Sequence, residues 1–482
     1  MITNFDLKQK VLPKFNNMDK FQEIYKVKVK QLFLDIRFWI VSFFMIRLVG
    51  ITNAPLERSH NWRQSLTNMI SRNLSDSDFN LLYPKIDMAG DLTGIIGAEF
   101  PLLNSLIGLC NLGFGYQHWY GRLINLIVSS LGTLFFYKSV KSVWSQQIAF
   151  NSTLIFLGSI WFAFSRKIMP DTFSISLMLI GVWYAIQHLQ EGKWKHLGLF
   201  FLFTTLGILV KLPAIVILSI FTIPVFSKSF ELKHRIKLVV VGTVSFLIGC
   251  SWYFLWVPHL IQQYKFRLYF PKGFAEGVSE IKELIPELLE KFYFSSLSSY
   301  TAFVFFLAGF VWLIKLRQKN TLITFAIFST IFAVFIIKTG AVFPLHNYYI
   351  IPFTPIMAIV VGWFVSHLPK KVYPYVLGLI MIEGIANQQH DFFLNSRDLY
   401  PLDLEVMLDD FSSKEDKFII NGGKSPKPMY FANRSGWSIA DEDLNDEKVK
   451  SIRDKGARFL IIDRHSSQRK FSFEVLKENE DF

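Results

Sequence analysis

The chain has 482 residues, of which 51% are hydrophobic and 16% aromatic, with a net charge of +13. So much apolar material gathered in long runs excludes an ordinary soluble domain. About 20 apolar residues cross a bilayer as a helix, since the core is about 30 Å thick and each residue rises about 1.5 Å. The charge does not indicate nucleic acid, because from Gln389 onward the chain is acidic, with 15 Lys and Arg against 19 Asp and Glu. The basic excess therefore lies in short clusters between apolar runs. Cys110 and Cys250 sit in apolar stretches, and their spacing gives no disulfide framework, zinc site or redox motif.

In chain order, a polar, Lys-rich stretch runs to Arg37. No cleavable signal peptide precedes the first apolar run, which is expected to act as an uncleaved anchor from about Phe38 to Gly50. A long polar loop follows, residues 52–121. It holds two amphipathic segments, Trp62–Leu74 and Pro101–Phe114, the second read as a helix lying at the membrane surface. Ten further spans are expected at about Leu123–Tyr137, Ile148–Phe164, Phe173–His188, Leu197–Val210, Ala214–Phe226, Leu238–Trp256, Thr301–Ile314, Leu322–Ile337, Tyr349–Val365 and Tyr373–Ala386. With about eleven spans, the basic clusters at the N-terminus, Lys138–Lys141, Lys193–His196, Lys228–Lys237, Lys315–Lys319 and Lys370–Lys371 all fall on one side. The expectation is a multi-pass protein of the inner (cytoplasmic) membrane. Its N-terminus is cytoplasmic, and the long loop and C-terminal region are external.

The fold class expected is thus an all-α polytopic membrane protein, residues 1–388, followed by a small soluble α/β unit, residues 389–482. In that unit Lys417–Asn421 and Arg458–Ile462 read as strands, and Glu442–Lys455 as a helix between them. Gly422-Gly423 reads as a turn. It is a faint echo of a phosphate loop, and glycines serve such turns for local reasons.

Polar residues at membrane depth are costly and often functional. The external segments contain P-L-E-R-S-H-N-W-R-Q (Pro55–Gln64), Asn80–Asp87, E-F-P-L (Glu99–Leu102), S-R-K-I-M-P-D (Ser165–Asp171), V-K-L-P (Val210–Pro213) and H-N-Y-Y (His346–Tyr349). Glu99, Asp87 and Asp171 are the candidate catalytic carboxylates. Arg63, Gln64, Arg166, Lys211 and His346 are candidate ligands for an anionic substrate, and Tyr348 and Tyr349 candidate walls of a cleft. Structural roles compete. Glu99 and Asp171 each precede or open a helix, where carboxylates cap or meet the dipole. Lys211 ends a helix, where it can satisfy carbonyls or extend to the membrane surface.

Together these strings resemble the GT-C polytopic glycosyltransferases. They are nearest to the family-39 group that includes protein mannosyltransferase-like and aminoarabinose-transferase-like enzymes. The resemblance extends to about Asn387 and is carried by the long first loop, E-F-P-L, S-R-x-x-M-P-D and H-N-Y-Y-x-x-P. It implies an inverting glycosyltransferase that uses a polyprenyl-phosphate sugar donor at the external face. The acceptor is a glycan, lipid or protein, and the C-terminal unit is accessory. A carboxylate would deprotonate the acceptor, and cations would stabilise the departing phosphate. The family usually has an acid early in the first loop. Here those places hold Asn61, Arg63 and Gln64, and the nearest preceding acid is Glu57. No metal ligand is assigned, although some relatives use a divalent ion. Membrane lipids are expected partners and nucleic acid is not. The alternatives are a lipid-linked-sugar transporter or flippase, for which no internal repeat is visible, and a non-catalytic GT-C relative.

Overall fold

The computed structural model describes residues 31–267 and 271–464. The expected basic N-terminal stretch lies, up to residue 30, outside the described residues. Among these, helices Tyr120–Val143, Pro170–Glu191, Leu232–Tyr264, Lys319–Thr339 and Asn347–Ser366 are long and apolar enough to cross a membrane. A sixth span results if Ile285–Ser295 and Tyr300–Lys315, bent by 91°, are taken together.

About eleven spans are expected, and five or six of them meet this length and composition among the described residues. Each of the other expected spans falls on an apolar helix, but a short one. Ile36–Arg47 has 12 residues, Gln146–Gly158 has 13 and Tyr373–Ala386 has 14. At about 1.5 Å per residue, each is shorter than a straight crossing of about 30 Å. Trp194–Val210 is followed at once by a 3₁₀ stretch, Leu212–Phe221, because Pro213 cannot continue the α-helical ladder.

Small side chains let the helices approach. A Cβ on Gly362 would lie 2.2 Å from Ser152 Oγ and 2.5 Å from the Ser152 backbone nitrogen, so the Gln146–Gly158 and Thr354–Ser366 helices touch backbone to backbone. Gly132 and Ser176 make the same kind of contact between Tyr120–Val143 and Pro170–Glu191.

The buried irregular stretch 159–169 has part of its backbone paired by side chains of neighbouring elements. Asn125 Nδ2 donates to Lys167 O at 2.8 Å, and Thr172 Oγ1 donates to Phe164 O at 3.0 Å. Gln388 Nε2 donates to Ser159 O at 3.0 Å, and its Oε1 accepts from Ala163 N at 3.1 Å. An irregular segment can be buried only when its polar backbone is paired in this way.

The first loop contains both expected amphipathic helices, Asn61–Ser75 and Leu102–Phe114. The second buries Leu103 and Ile107 and exposes Leu109, Leu112 and Phe114, an apolar outer face suited to a lipid surface.

The C-terminal region forms a parallel sheet of β1 (Lys417–Ile420), β2 (Gly436–Ser438) and β3 (Ala457–Ile461), in the order β2-β1-β3. The expected strands are β1 and β3. β2 is additional, too short and Gly-led to register as an apolar alternation. The expected helix is confined to Asp446–Arg453, with Asn445 as its N-cap, its side chain accepting from Lys448 N. At the turn after β1, a Cβ on Gly422 would sit 2.7 Å from Ser438 Oγ, so packing against β2 demands glycine there.

Phe418, Ile420, Met429 and Tyr430 of this region share one core with Leu66, Met69, Ile86 and Ile96 of the first loop. The loop and the C-terminal region thereby share one apolar interior.

Gly362→Leu should force the Gln146–Gly158 and Thr354–Ser366 helices apart. A loss of about 1–3 kcal/mol is expected, since small residues at a packed contact have no space to yield. A clear drop in melting temperature in detergent would be measured, whereas Gly378→Leu, where nothing lies within 4 Å of the added carbon, should melt as the parent.

Candidate active site

Glu99 lies in the first loop, just before the Leu102–Phe114 helix. The residue at that helix's N-cap position is Pro101, so Glu99 does not cap it. Its Oε1 instead accepts from Arg63 Nη2 at 2.5 Å and from Lys211 Nζ at 2.9 Å. Lys211 also lies 3.4 Å from Asp171 Oδ1.

Asp171 sits in the first turn of Pro170–Glu191, one residue inside the N-terminal proline. It too makes no cap bond, though the helix dipole favours its charge there. Lys211 is the C-cap residue of Trp194–Val210, in an extended conformation that turns its side chain towards the two carboxylates. Its ammonium also stands 5.7 Å and 5.6 Å from the ring centroids of Tyr348 and Tyr349. Two cations and two carboxylates thus meet where three chain segments end. The paired tyrosines, 4.5 Å apart, form one wall.

Asp171 Oδ2 is buried and has no hydrogen-bond partner. Asp171, Lys211, Tyr348 and Tyr349 line a narrow cleft of about 10 Å³, together with Pro213 and Pro352. Burial by itself would push the Glu99 carboxyl up. Arg63 and Lys211 more than reverse that and hold it well below the usual carboxylate range.

His346 stands at the rim. Its ring is 6.2 Å from Trp62, 5.5 Å from Tyr348 and 6.1 Å from His60. His60 Nε2 is 2.8 Å from Asn347 Oδ1, joining the first loop to the H-N-Y-Y loop. The His60 backbone is left-handed, with φ of 63°, a conformation that histidine adopts more readily than most residues. His60, Trp62 and Asn347 belong to this rim and were not assigned from sequence. All three lie inside the quoted strings, and only the packing of one loop on the other sets them apart.

Three assigned residues lie elsewhere. Arg166 does not join Glu99 and Asp171. Its Nη2 donates to Val49 O at 2.7 Å, and its guanidinium lies 4.3 Å from the Phe392 ring centroid. Gln64 is fully buried, donating to Glu57 Oε2 at 3.0 Å and accepting from Ile168 N at 3.1 Å. Both belong to a buried charged network in which Glu57 pairs with Arg122, and Lys167 Nζ reaches Asp391 Oδ1 at 2.7 Å and Ser59 O at 2.9 Å. Burial raises the Glu57 carboxyl, but Arg122 and Lys167 bring it below its ordinary value. The remaining carboxylate, Asp87, is paired with Arg72 at 3.0 Å and Asn73 at 2.8 Å, and its backbone O accepts from Gly436 N at 2.8 Å. It fastens the C-terminal region to the loop. A sequence string carries no sign of which way each side chain turns, and so these three were grouped with the site.

The sequence model of the dolichyl-phosphate-mannose-protein mannosyltransferase family matches residues 99–256, a stretch that begins at Glu99 and includes Asp171 and Lys211. No curated protein sequence matches the chain. Among solved structures, ArnT from Cupriavidus metallidurans in the apo state superposes with a TM-score of 0.55 at 13% identity, covering 87% of this chain and 89% of that one. The same protein bound to undecaprenyl phosphate gives 0.54 at 12% identity over 87% and 89%. An Archaeoglobus fulgidus oligosaccharyltransferase complexed with zinc and sulfate gives 0.59 at 12% identity, over 88% of this chain and 67% of that one.

The acid side of the stability profile follows from two loop histidines. Burial, then the Lys167 charge, pushes His60 down to about 3. Burial, then Arg72, pushes His118 down to about 4. Both are neutral when folded and titrate near 6.5 when unfolded. Below that pH the unfolded chain binds more protons, so stability is full above about 6.5 and falls as the pH drops towards 4 and 3. The melting temperature in detergent should therefore decline from pH 7 to pH 4.5. His60→Gln combined with His118→Asn should flatten that decline.

Proposed function

We propose that this chain, a multi-pass membrane protein with the GT-C fold, is an inverting glycosyltransferase that takes a sugar from a polyprenyl-phosphate donor at the external face. The observation that carries the proposal is the Lys211 ammonium shared by Glu99 and Asp171, with Asp171 lining the adjoining cleft and its second oxygen buried without a hydrogen-bond partner.

In this reading Asp171 Oδ2 is the general base. It accepts the proton of the acceptor hydroxyl as that oxygen bonds to the anomeric carbon. The bond from that carbon to the phosphate oxygen breaks, its electron pair stays on the phosphate, and Lys211 and Arg63 stabilise the charge that develops. Glu99 is the weaker candidate for base, since one of its oxygens already accepts from both cations. Its role is to hold Arg63 and Lys211 in place. Tyr348 and Tyr349 supply flat apolar surface for the sugar, and His346 with Trp62 and His60 forms the entrance.

The acceptor, whether glycan, lipid or protein, approaches from outside the membrane. The missing early acid in the first loop is no obstacle here, because the base comes from a different loop.

A divalent ion does not fit between Glu99 and Asp171 without displacing the ammonium that already neutralises both, so the proposed chemistry uses none. Transfer from an undecaprenyl-phosphate sugar by the purified protein should persist in EDTA. Asp171→Asn and Lys211→Met should each lower it by about 10²–10⁴-fold, the usual effect of losing a base or a charge stabiliser. Full activity in both variants would refute the assignment. No transfer by the parent protein from any lipid-phosphate sugar would favour a transporter or a non-catalytic relative.

The orientation proposed is an N-terminus in the cytoplasm and a C-terminal region outside, in the inner membrane of the cell. Two features support it. Asp171 and Lys211 lie at one end of the Pro170–Val210 helical hairpin, while the basic turn containing Lys193 lies at the other. Asp391, at the start of the C-terminal region, pairs with Lys167 at the site end. A reporter active only in the cytoplasm, fused after Phe482, should be silent. Strong signal there would invert the topology.

A further inference from the structure

A second cleft, of about 280 Å³, lies at the junction of the first loop and the C-terminal sheet. Its lining includes Asn73 and Asp76 from the end of the Asn61–Ser75 helix, Lys85, Asp87 and Thr93 from the following turn, and Lys417 from β1. A volume of this order lies at the lower edge of small-molecule sites, roughly 300–1,000 Å³.

The walls are tied together. Asn73 Nδ2 donates to Asp87 Oδ1 at 2.8 Å and to Lys85 O at 3.1 Å. Ile86 N donates to Gly94 O at 2.9 Å, and Lys417 Nζ donates to Gly90 O at 3.0 Å. The cleft is thus a preformed feature of two chain regions fastened to each other.

Its chemistry is mixed in a particular way. Two carboxylates face two ammonium groups, with amide and hydroxyl groups between them, and Arg72 stands behind Asp87. Such a wall attracts neither a polyanion nor a polycation strongly. It offers alternating donors and acceptors, which suits a neutral ligand dense in hydroxyl groups. The position is informative too. Arg63, beside Glu99, and Asn73, in this cleft, belong to one helix, ten residues apart by their numbers. At about 1.5 Å per residue the two sites lie about 15 Å apart along it.

We propose that this cleft binds carbohydrate, and that it holds the distal part of a glycan acceptor whose reactive hydroxyl reaches Asp171. The second half of the statement rests on the transferase reading above and selects a glycan over a lipid or a protein as acceptor. The first half stands without it.

The test uses the full chain in detergent on an array of bacterial oligosaccharides. The parent protein should bind at least one class of glycan. Thr93→Trp and Asp76→Ala, both at exposed positions, should bind it at least tenfold more weakly at unchanged melting temperature. Lys211→Met, which removes the transfer chemistry, should bind the glycan as the parent does. Where transfer is measured, Thr93→Trp should raise the KM for the glycan at least tenfold and alter kcat little. Absence of glycan binding by the parent, or equal binding by parent and Thr93→Trp, overturns the proposal. Retained binding with no transfer by the parent would leave the cleft standing and remove the transferase reading instead.

Discussion

The arrangement at the centre of this protein depends on one ammonium group. Lys211 must be charged to lie between Glu99 and Asp171, and the two carboxylates can lie near each other, out of water, only because it is there. Isolated charges in such a place cost several kcal/mol each, and removal of one partner from a buried pair costs about 3–5 kcal/mol. Arg63 supplies the second positive charge, so the group is balanced. The consequence is geometric. The first loop, the start of Pro170–Glu191 and the end of Trp194–Val210 are held together by this contact, and the cleft takes its shape from where they meet.

A separate layer of buried charge supports it from behind. Lys167 joins the turn before Pro170 to Ser59 and to Asp391, while Glu57 joins Arg122 to Gln64. These contacts leave little freedom to the backbone on either side of His60 and Asp171. Costly polar groups are thus used as fasteners where the apolar helices meet the first loop and the C-terminal region. Arg166 belongs to this layer, and the apolar surface of Phe392 under its guanidinium explains why it faces away from the cleft.

The first loop and the C-terminal region are likewise one body with two sequence origins. Phe418 and Ile420 pack into the same core as Leu66 and Met69, and Tyr430 brings its hydroxyl 3.0 Å from Asn68 and 2.6 Å from His118. The Asn61–Ser75 helix, which carries Arg63, is therefore backed by residues some 360 positions away. The two regions close one apolar core together.

The sequence by itself determined the membrane character, the location of every apolar helix, two of the three strands and the segments from which the site is drawn. Those properties are local: apolar run length, charge between runs and turn residues are all read along the chain. Glu99, Asp171, Lys211, Arg63, Tyr348 and Tyr349 are all among the sequence's candidate site residues, and the structure brings these six together, while Arg166, expected in the same cleft, lies apart. What only the tertiary structure decided was the direction of each side chain. Asp87, Gln64 and Arg166 occupy strings as polar as the others, yet each is claimed by a partner distant in sequence: Gly436, Ile168 and Phe392. His60 joined the rim for the same reason, through Asn347. Helix length was decided there too, because a short apolar helix is stable when its neighbours pair its ends, and nothing within its own residues records that they do.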